Sequence, residues 1–493
     1  MCYIGTDKQL KLFIMNQEKK QQIVALLRAR ISDAEVRAHF YVFKDGKKRP
    51  NRNIYVKIKE HLNRFLSGDK SRRWVILTGL RGAGKTTLMS QIFFDAPKEA
   101  IKLFLSVDQI DQSISLKEIL SVYETDFLGM SFVQFGKPFF LFLDEIQYDK
   151  EWGMALKAIY DNAPNVFIFV TGSSALSMNM NIDVARRPVF EKVFPLSFCE
   201  YKKIKEWKTE EKGLGKEMRD IFLQSQNARG LFAGMKKLEP KINNYLTEIK
   251  NKDFNDYIMY ASLPSLVELG EPVLAYDQVR NILDRVVGQD ILQTEEFNAE
   301  TLNKIKDILY IAANADKTSF SAIGNNTGVQ LHYMTVSRIF EILQQTEVLT
   351  RILPFSVSHN AQVRQASKFL FSAPVFRAMY FHLRGSVLSP EEARGKLLED
   401  IAGMYLNRIL YRQKEVHLNY DAESGGADFI VGFGNRDIVI EVSTDKKTIK
   451  QVVNTMNKIK STYGIVISEK QDTLDMNEEY NIVKIPFKYF LLM

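Results

Sequence analysis

The chain has 493 residues, 45% hydrophobic and 26% charged, which supports buried cores in about three domains and excludes the charged, core-poor composition of disorder. Its net charge is +8, but residues 1–75 hold 18 Lys and Arg against 7 Asp and Glu, an excess of +11 that leaves −3 for the rest. Two cysteines without ligand or disulfide spacing, Cys2 and Cys199, and no apolar run near the roughly 20 residues of a membrane span point to a protein of the reducing cytoplasm with no membrane partner.

In chain order, residues 1–73 read as a basic helical extension, with apolar residues at helical spacing in Gln17–Arg30 and Ile54–Leu66 and turn-like residues between them. No chemistry is visible there. Its charge suits the phosphate backbone of DNA and equally serves solubility. From Trp74 to about residue 202 short apolar runs alternate with helical stretches, the pattern of a parallel α/β core with strands at Trp74–Thr78, Ile101–Val107, Phe139–Leu143 and Phe167–Thr171. Residues 203–290 read as a helical lid or connector, because Tyr201–Lys252 is rich in Lys and Glu and poor in apolar periodicity. Within residues 291–356, Phe320–Leu353 suits a winged helix-turn-helix, a second candidate for DNA contact through His332, Thr335, Ser337 and Arg338. Winged helices also serve protein interaction. Residues 367–493 mix helices with strands at Phe429–Phe433, Ile438–Val442 and Gly464–Ser468.

The chemistry lies in the α/β core. Gly79-Leu-Arg81-Gly82-Ala-Gly84-Lys85-Thr86 fits G-x-x-x-x-G-K-[ST] between a strand and a helix, a P-loop for ATP. Glycines let backbone N–H groups close on the phosphates, Lys85 reaches the β and γ oxygens, Thr86 ligates Mg²⁺, and Thr87 follows on the same helix. Phe139–Leu143 delivers Asp144 and Glu145 to the C-terminal end of a buried strand. There Asp144 would hold Mg²⁺ through water and Glu145 would deprotonate the attacking water. Thr171, Ser173 and Ser174 end the next strand and are candidates to sense the γ-phosphate. Arg186 and Arg187 stand where a cation could stabilise transferred charge, in cis or across a subunit contact; solvated surface arginines are the alternative.

On these residues the chain resembles the AAA-type predicted-ATPase family that carries a C-terminal restriction-endonuclease-like domain. The marks are Arg81 in the P-loop; Asp144-Glu-Ile-Gln147 followed by Trp152 and Leu156-Lys157; Thr171-Gly-Ser-Ser-Ala175; and Pro195-Leu-Ser-Phe198 followed by Glu200-Tyr201. Two departures are Arg186-Arg187 in place of Gly-Arg and Ala261-Ser-Leu-Pro264 in place of Gly-Gly-x-Pro. The resemblance implies a P-loop AAA-type core with helical lid, a winged-helix domain, a C-terminal α/β nuclease-like domain, and contacts between copies of the chain. Nucleases of that fold join a helix carboxylate, a strand Asp and an E-x-K; the matching positions are Glu399, Asp428 and Glu441, with Ser443 in place of the lysine. Lys446 or Lys447 is a candidate substitute, and inactive fold remnants are the other reading. The expected function is a nucleotide-driven ATPase switch; the alternatives are an ATP-gated, Mg-dependent nuclease and a non-hydrolysing ATP-binding scaffold.

Overall fold

The computed structural model describes residues 17–173, 182–209, 211–290, 297–326, 328–356, 362, 365–445 and 449–493. Ser174, Lys446 and Lys447 therefore lie outside the described residues. Two compact units form, one from the chain up to Gly79 with Gly84–Val193, the other from Leu80–Ala83 with Phe194–Met493.

The first unit is built on β1 (Trp74–Thr78), β2 (Ile101–Ser106), β3 (Phe139–Asp144), β4 (Val166–Thr171) and β5 (Val189–Lys192). Their order is β2-β3-β4-β1-β5 and every pairing is parallel. All residues of β1, β3 and β4 are buried. Such continuous apolar strands form because both faces of a parallel sheet are covered by helices. Helix α1 (Gln17–Val42) is followed by α2 (Tyr55–Leu66), which buries Ile58, Leu62 and Phe65; the Phe65 ring packs 5.8 Å from Phe140 and 5.3 Å from Phe167. Burying a phenylalanine of this kind contributes roughly 1.5–3 kcal/mol. Helix α3 (Lys85–Asp95) follows the loop after β1 and packs against both α1 and α2.

The described part of the basic extension, residues 17–73, thus belongs to the first unit. Helix α1 runs well past Arg30, to Val42, burying Ile23, Leu27, Ala34, Ala38 and Val42, with Ile23 and Leu27 in one core with Trp74 and Leu103. Its second half shows little apolar periodicity because the buried face there is mostly alanine.

In the second unit the stretch expected to be a helical, solvated lid or connector forms the helices α4 (Phe198–Glu206), α5 (Leu214–Gln224), α6 (Ala228–Leu246) and α7 (Asn251–Met259). Each has a buried face, Leu231, Met235, Leu238 and Ile242 in α6, which the Lys and Glu of the opposite face dilute in the sequence. The motif Ser197–Glu200 starts α4 as a capping box: Ser197 Oγ accepts from Glu200 N at 3.2 Å and Glu200 Oε2 from Ser197 N at 3.1 Å. Tyr463 Oη donates to Ser225 O at 3.1 Å and Tyr489 Oη to Asn243 Oδ1 at 2.6 Å, tying α5 and α6 to C-terminal segments.

Helices α8 (Ala299–Asn314), α9 (Phe320–Gly324) and α10 (Tyr333–Gln345) precede an antiparallel pair, β6 (Leu349–Pro354) with β7 (Lys368–Phe371). That pair continues a larger sheet. With α11 (Pro390–Leu410) packed on it, the sheet adds β8 (Val416–Tyr420), β9 (Phe429–Phe433), β10 (Arg436–Ser443), β11 (Tyr463–Ser468), β12 (Asp475–Asn477) and β13 (Ile482–Pro486). The order is β12-β13-β11-β10-β9-β8-β6-β7. Among the described residues no helix is long and apolar enough to cross a membrane.

Candidate functional site

The P-loop leaves β1 at Gly79, turns through Leu80–Ala83, where Arg81 and Gly82 lie, and enters α3 at Lys85. Gly82 and Gly84 have φ of +84° and +90°, left-handed values that glycine adopts without cost. A Cβ on Gly79 would stand 2.3 Å from Val193 O, so only glycine lets the loop pass. Lys85 is buried and its Nζ donates to Gly79 O at 3.0 Å, which holds the ammonium inside the loop. Thr86 and Thr87 follow in the first turn of the helix.

Three side chains meet at the strand ends. Thr86 Oγ1 donates to Asp144 Oδ2 at 2.9 Å, and Thr171 Oγ1 donates to Asp144 Oδ1. Thr171 Oγ1 also accepts from Glu145 N at 3.1 Å. Burial, and then the Glu145 charge, push the Asp144 carboxyl up to about 6 despite both threonines and Lys85. Glu145 has φ +51°, an uncommon left-handed conformation for a non-glycine residue, and it directs the chain away from β3 at the point where the side chain is needed. Gln147 Nε2 donates to Glu145 Oε2 at 2.6 Å, and Ser173 N donates to Gln147 Oε1 at 3.4 Å. Gln147 was readable only as part of a motif; nothing local in the sequence assigns it the orienting of Glu145.

The structure thus brings Lys85, Thr86, Asp144, Glu145 and Thr171 together, with Ser173 joined through Gln147. It does not bring Arg187 there. Arg187 makes a bidentate pair with Asp161, at 2.7 and 2.8 Å, and also bonds Asp183 O, while Arg186 lies 4.0 Å from Asp183 on the surface. Within this chain the fork-shaped guanidinium is held by a nearby carboxylate, away from the strand ends.

A second cluster lies in the other unit. Lys368, the first residue of β7, is buried, with Nζ 3.0 Å from Glu399 Oε2 and 2.7 Å from Asp428 Oδ1. Glu399 Oε1 accepts from Lys396 at 2.9 Å, and Asp428 Oδ2 accepts from Val442 N at 3.0 Å. Glu441 Oε2 accepts from Asp428 N at 3.2 Å, and burial followed by the Asp428 charge raises its carboxyl well above the usual range. Burial disfavours the Lys368 charge, but Asp428 and Glu399 outweigh it and keep the ammonium protonated. A polar cavity of about 440 Å³ opens onto Lys368, Glu399, Asp428 and Glu441. Lys368 thus places an ammonium from β7 among carboxylates carried by α11 and by the strands around β9 and β10. Among the described residues no group of three or more His, Cys, Asp and Glu is arranged to hold a metal ion, since Lys368 lies between Glu399 and Asp428.

Residues 71–202 match the family model described as an AAA domain, and residues 251–378 one described as a domain of unknown function (DUF8612). Uncharacterized protein MJ1637 of Methanocaldococcus jannaschii is 31% identical over 455 residues, 90% of each chain. The chain belongs to the MJ1637 family. Another relative from that organism, uncharacterized protein MJ1544, is 20% identical over 378 residues, 74% of this chain and 73% of that one. Among solved structures, the Walker-type ATPase Paby2304 of Pyrococcus abyssi is similar at 15% identity and a TM-score of 0.38, over 69% of this chain and 97% of that one. In this member of the MJ1637 family the residues that match the AAA domain, 71–202, include Lys85, Asp144 and Glu145.

Proposed function

We propose that the chain binds and hydrolyses ATP and acts as a nucleotide-driven switch, with DNA as the partner class. The observation that carries this reading is the convergence of the Lys85 ammonium, the Thr86 hydroxyl and the Asp144 carboxylate on one strand-end site, with Glu145 oriented beside them. The residues fit Mg²⁺: Thr86 and Asp144 present adjacent oxygens, and the Asp144 carboxylate is destabilised without a cation. Mg²⁺ held there would neutralise charge on the β and γ oxygens. Lys85 exchanges Gly79 O for phosphate oxygen. Glu145 takes the proton of the attacking water, held in position by Gln147 through Oε2.

The DNA part rests on α9, the turn, α10 and the β6–β7 pair, an arrangement consistent with a winged helix whose α10 exposes Tyr333 and Met334 at its start. Arg338, its expected phosphate contact, is paired with Glu341 at 2.9 Å. In the nuclease alternative Lys368 would supply the missing ammonium, but that ammonium bridges two of the carboxylates a metal would need. The geometry therefore favours a binding module at the C-terminus.

The test is phosphate release by purified protein with Mg-ATP, with and without duplex DNA, at two salt concentrations. Turnover lost in Glu145→Gln with ATP binding retained supports hydrolysis; no turnover in any condition overturns it. DNA stimulation should fade as salt rises, because counterions compete for the backbone. Plasmid cut by wild type but not by Glu441→Gln would instead establish the nuclease.

A further inference from the structure

The N-terminal helix carries a guanidinium that the Walker residues do not use. Helix α1 packs along α3 and β2, all within the first unit. Arg37, in its second half, reaches the end of β2: Nη2 donates to Gln109 Oε1 at 2.9 Å and to Ser106 Oγ at 3.3 Å. Ser106 stands opposite Asp144 in the parallel register of β2 and β3, so Arg37 is held one strand spacing from the Walker carboxylates. Its other terminal nitrogen, Nη1, is buried and has no hydrogen-bond partner among the described residues.

A guanidinium is always charged, donates through five N–H groups and accepts none. Leaving a buried one of these unsatisfied is costly, and such an exception calls for an explanation. The neighbours sharpen it. Arg30 is close enough for burial and then Arg37 to lower its own titration, so two like charges crowd this flank. Tyr41, one turn beyond Arg37, has its phenol raised by burial and then by Asp144, which places this part of α1 within electrostatic reach of the site. This flank therefore holds a surplus of positive charge and an unsatisfied donor beside the strand that ends in Asp144.

We propose that Arg37 is a sensor of the terminal phosphate supplied in cis by the N-terminal helix, its Nη1 donating to a γ-phosphate oxygen while Nη2 stays anchored on Ser106 and Gln109. The proposal rests on the ATP reading of the P-loop site and adds to it the discrimination of tri- from diphosphate. The extension thereby gains a role in regulation, since a partner that shifts α1 would change the response to ATP without touching the P-loop.

The experiment measures affinity for Mg-ATPγS and Mg-ADP by displacement of a fluorescent ADP from full-length wild type, Arg37→Ala, Arg37→Gln, Arg37→Lys and Lys85→Ala. Arg37→Ala and Arg37→Gln should lose about tenfold or more for ATPγS, the scale of one charge-assisted hydrogen bond, with ADP affinity within about twofold of wild type. Arg37→Lys should recover part of the loss. Equal losses for both nucleotides, or none for either, overturn the sensor. Wild type that binds neither nucleotide removes the ATP reading as well; wild type that binds both, with Lys85→Ala binding neither, keeps that reading whatever Arg37 does. Hydrogen exchange on wild type alone gives a readout that no variant can spoil: residues 33–42 should gain protection with Mg-ATPγS and not with Mg-ADP, and equal protection by both overturns the proposal.

Discussion

Asp144→Asn should stabilise the nucleotide-free protein while destroying its response to magnesium. Burial and Glu145 hold the Asp144 carboxyl at about 6 against an ordinary 3.8, a difference that corresponds to about 3 kcal/mol at neutral pH. The sign is the reverse of the usual carboxylate case. Because the folded-state value is raised, the ionised group opposes folding above about pH 6, and the opposition fades as pH falls towards 3.8. Asparagine removes the charge and keeps the bonds: its carbonyl accepts from Thr171 and its amide donates to Thr86. With EDTA at pH 7.5 the variant should unfold several degrees above wild type, and the gap should shrink to about half by pH 5. Adding Mg-ATPγS should raise the unfolding temperature of wild type only. A variant less stable than wild type at pH 7.5, or a gap independent of pH, refutes the electrostatic account of this site.

Gln147→Ala removes the group holding Glu145 Oε2, so kcat should fall about tenfold or more, as for loss of catalytic positioning, with ATPγS affinity unchanged; steady-state kinetics paired with binding checks this. Gly79→Ala would press a Cβ within 2.3 Å of Val193 O, so nucleotide binding should vanish in titrations even where circular dichroism shows a folded chain. Lys368→Met leaves the Glu399 and Asp428 charges buried without their shared cation and should cost about 3–5 kcal/mol in urea denaturation. Since Lys368 is held protonated, its own titration adds no pH dependence near neutrality; the loss should shrink in acid, as the stranded carboxyls protonate.

The nucleotide site was legible because its chemistry is local. A P-loop is a run of backbone conformations that glycine permits and a lysine completes, and the carboxylates at 144 and 145 follow directly from a strand whose apolar run is unmistakable. Partner choice was less legible. Nothing near Lys368 announces that it will meet Asp428, which lies 60 residues away and is reached only when the sheet closes. Arg187 has the charge a catalytic cation needs, and its pairing with Asp161, 26 residues away, is not visible in the sequence. The second half of α1 hid behind Ala34 and Ala38, small residues that pack closely and leave almost no apolar period. In α6 the reason is the opposite, since its charged face masks a buried one.

The arrangement around Asp144 bears on how such a domain can act as a switch. Thr171 sits on β4, between the strand that leads into the P-loop and the strand that ends in Asp144, and it touches both the Asp144 carboxylate and the Glu145 backbone. Without a cation, Asp144 and Glu145 repel each other in a buried place, so the strand ends are held against an electrostatic cost. A cation and triphosphate bound there would relieve that cost, and whatever they relieved would appear as binding free energy coupled to the position of β3 and β4. Arg37 is anchored on Ser106, at the end of β2, so the N-terminal helix is joined to the strand beside the one that ends in Asp144. A mobile loop could transmit little of this. A packed helix bonded to the end of the neighbouring strand can, because a shift of that strand end relative to the helix strains or breaks those bonds.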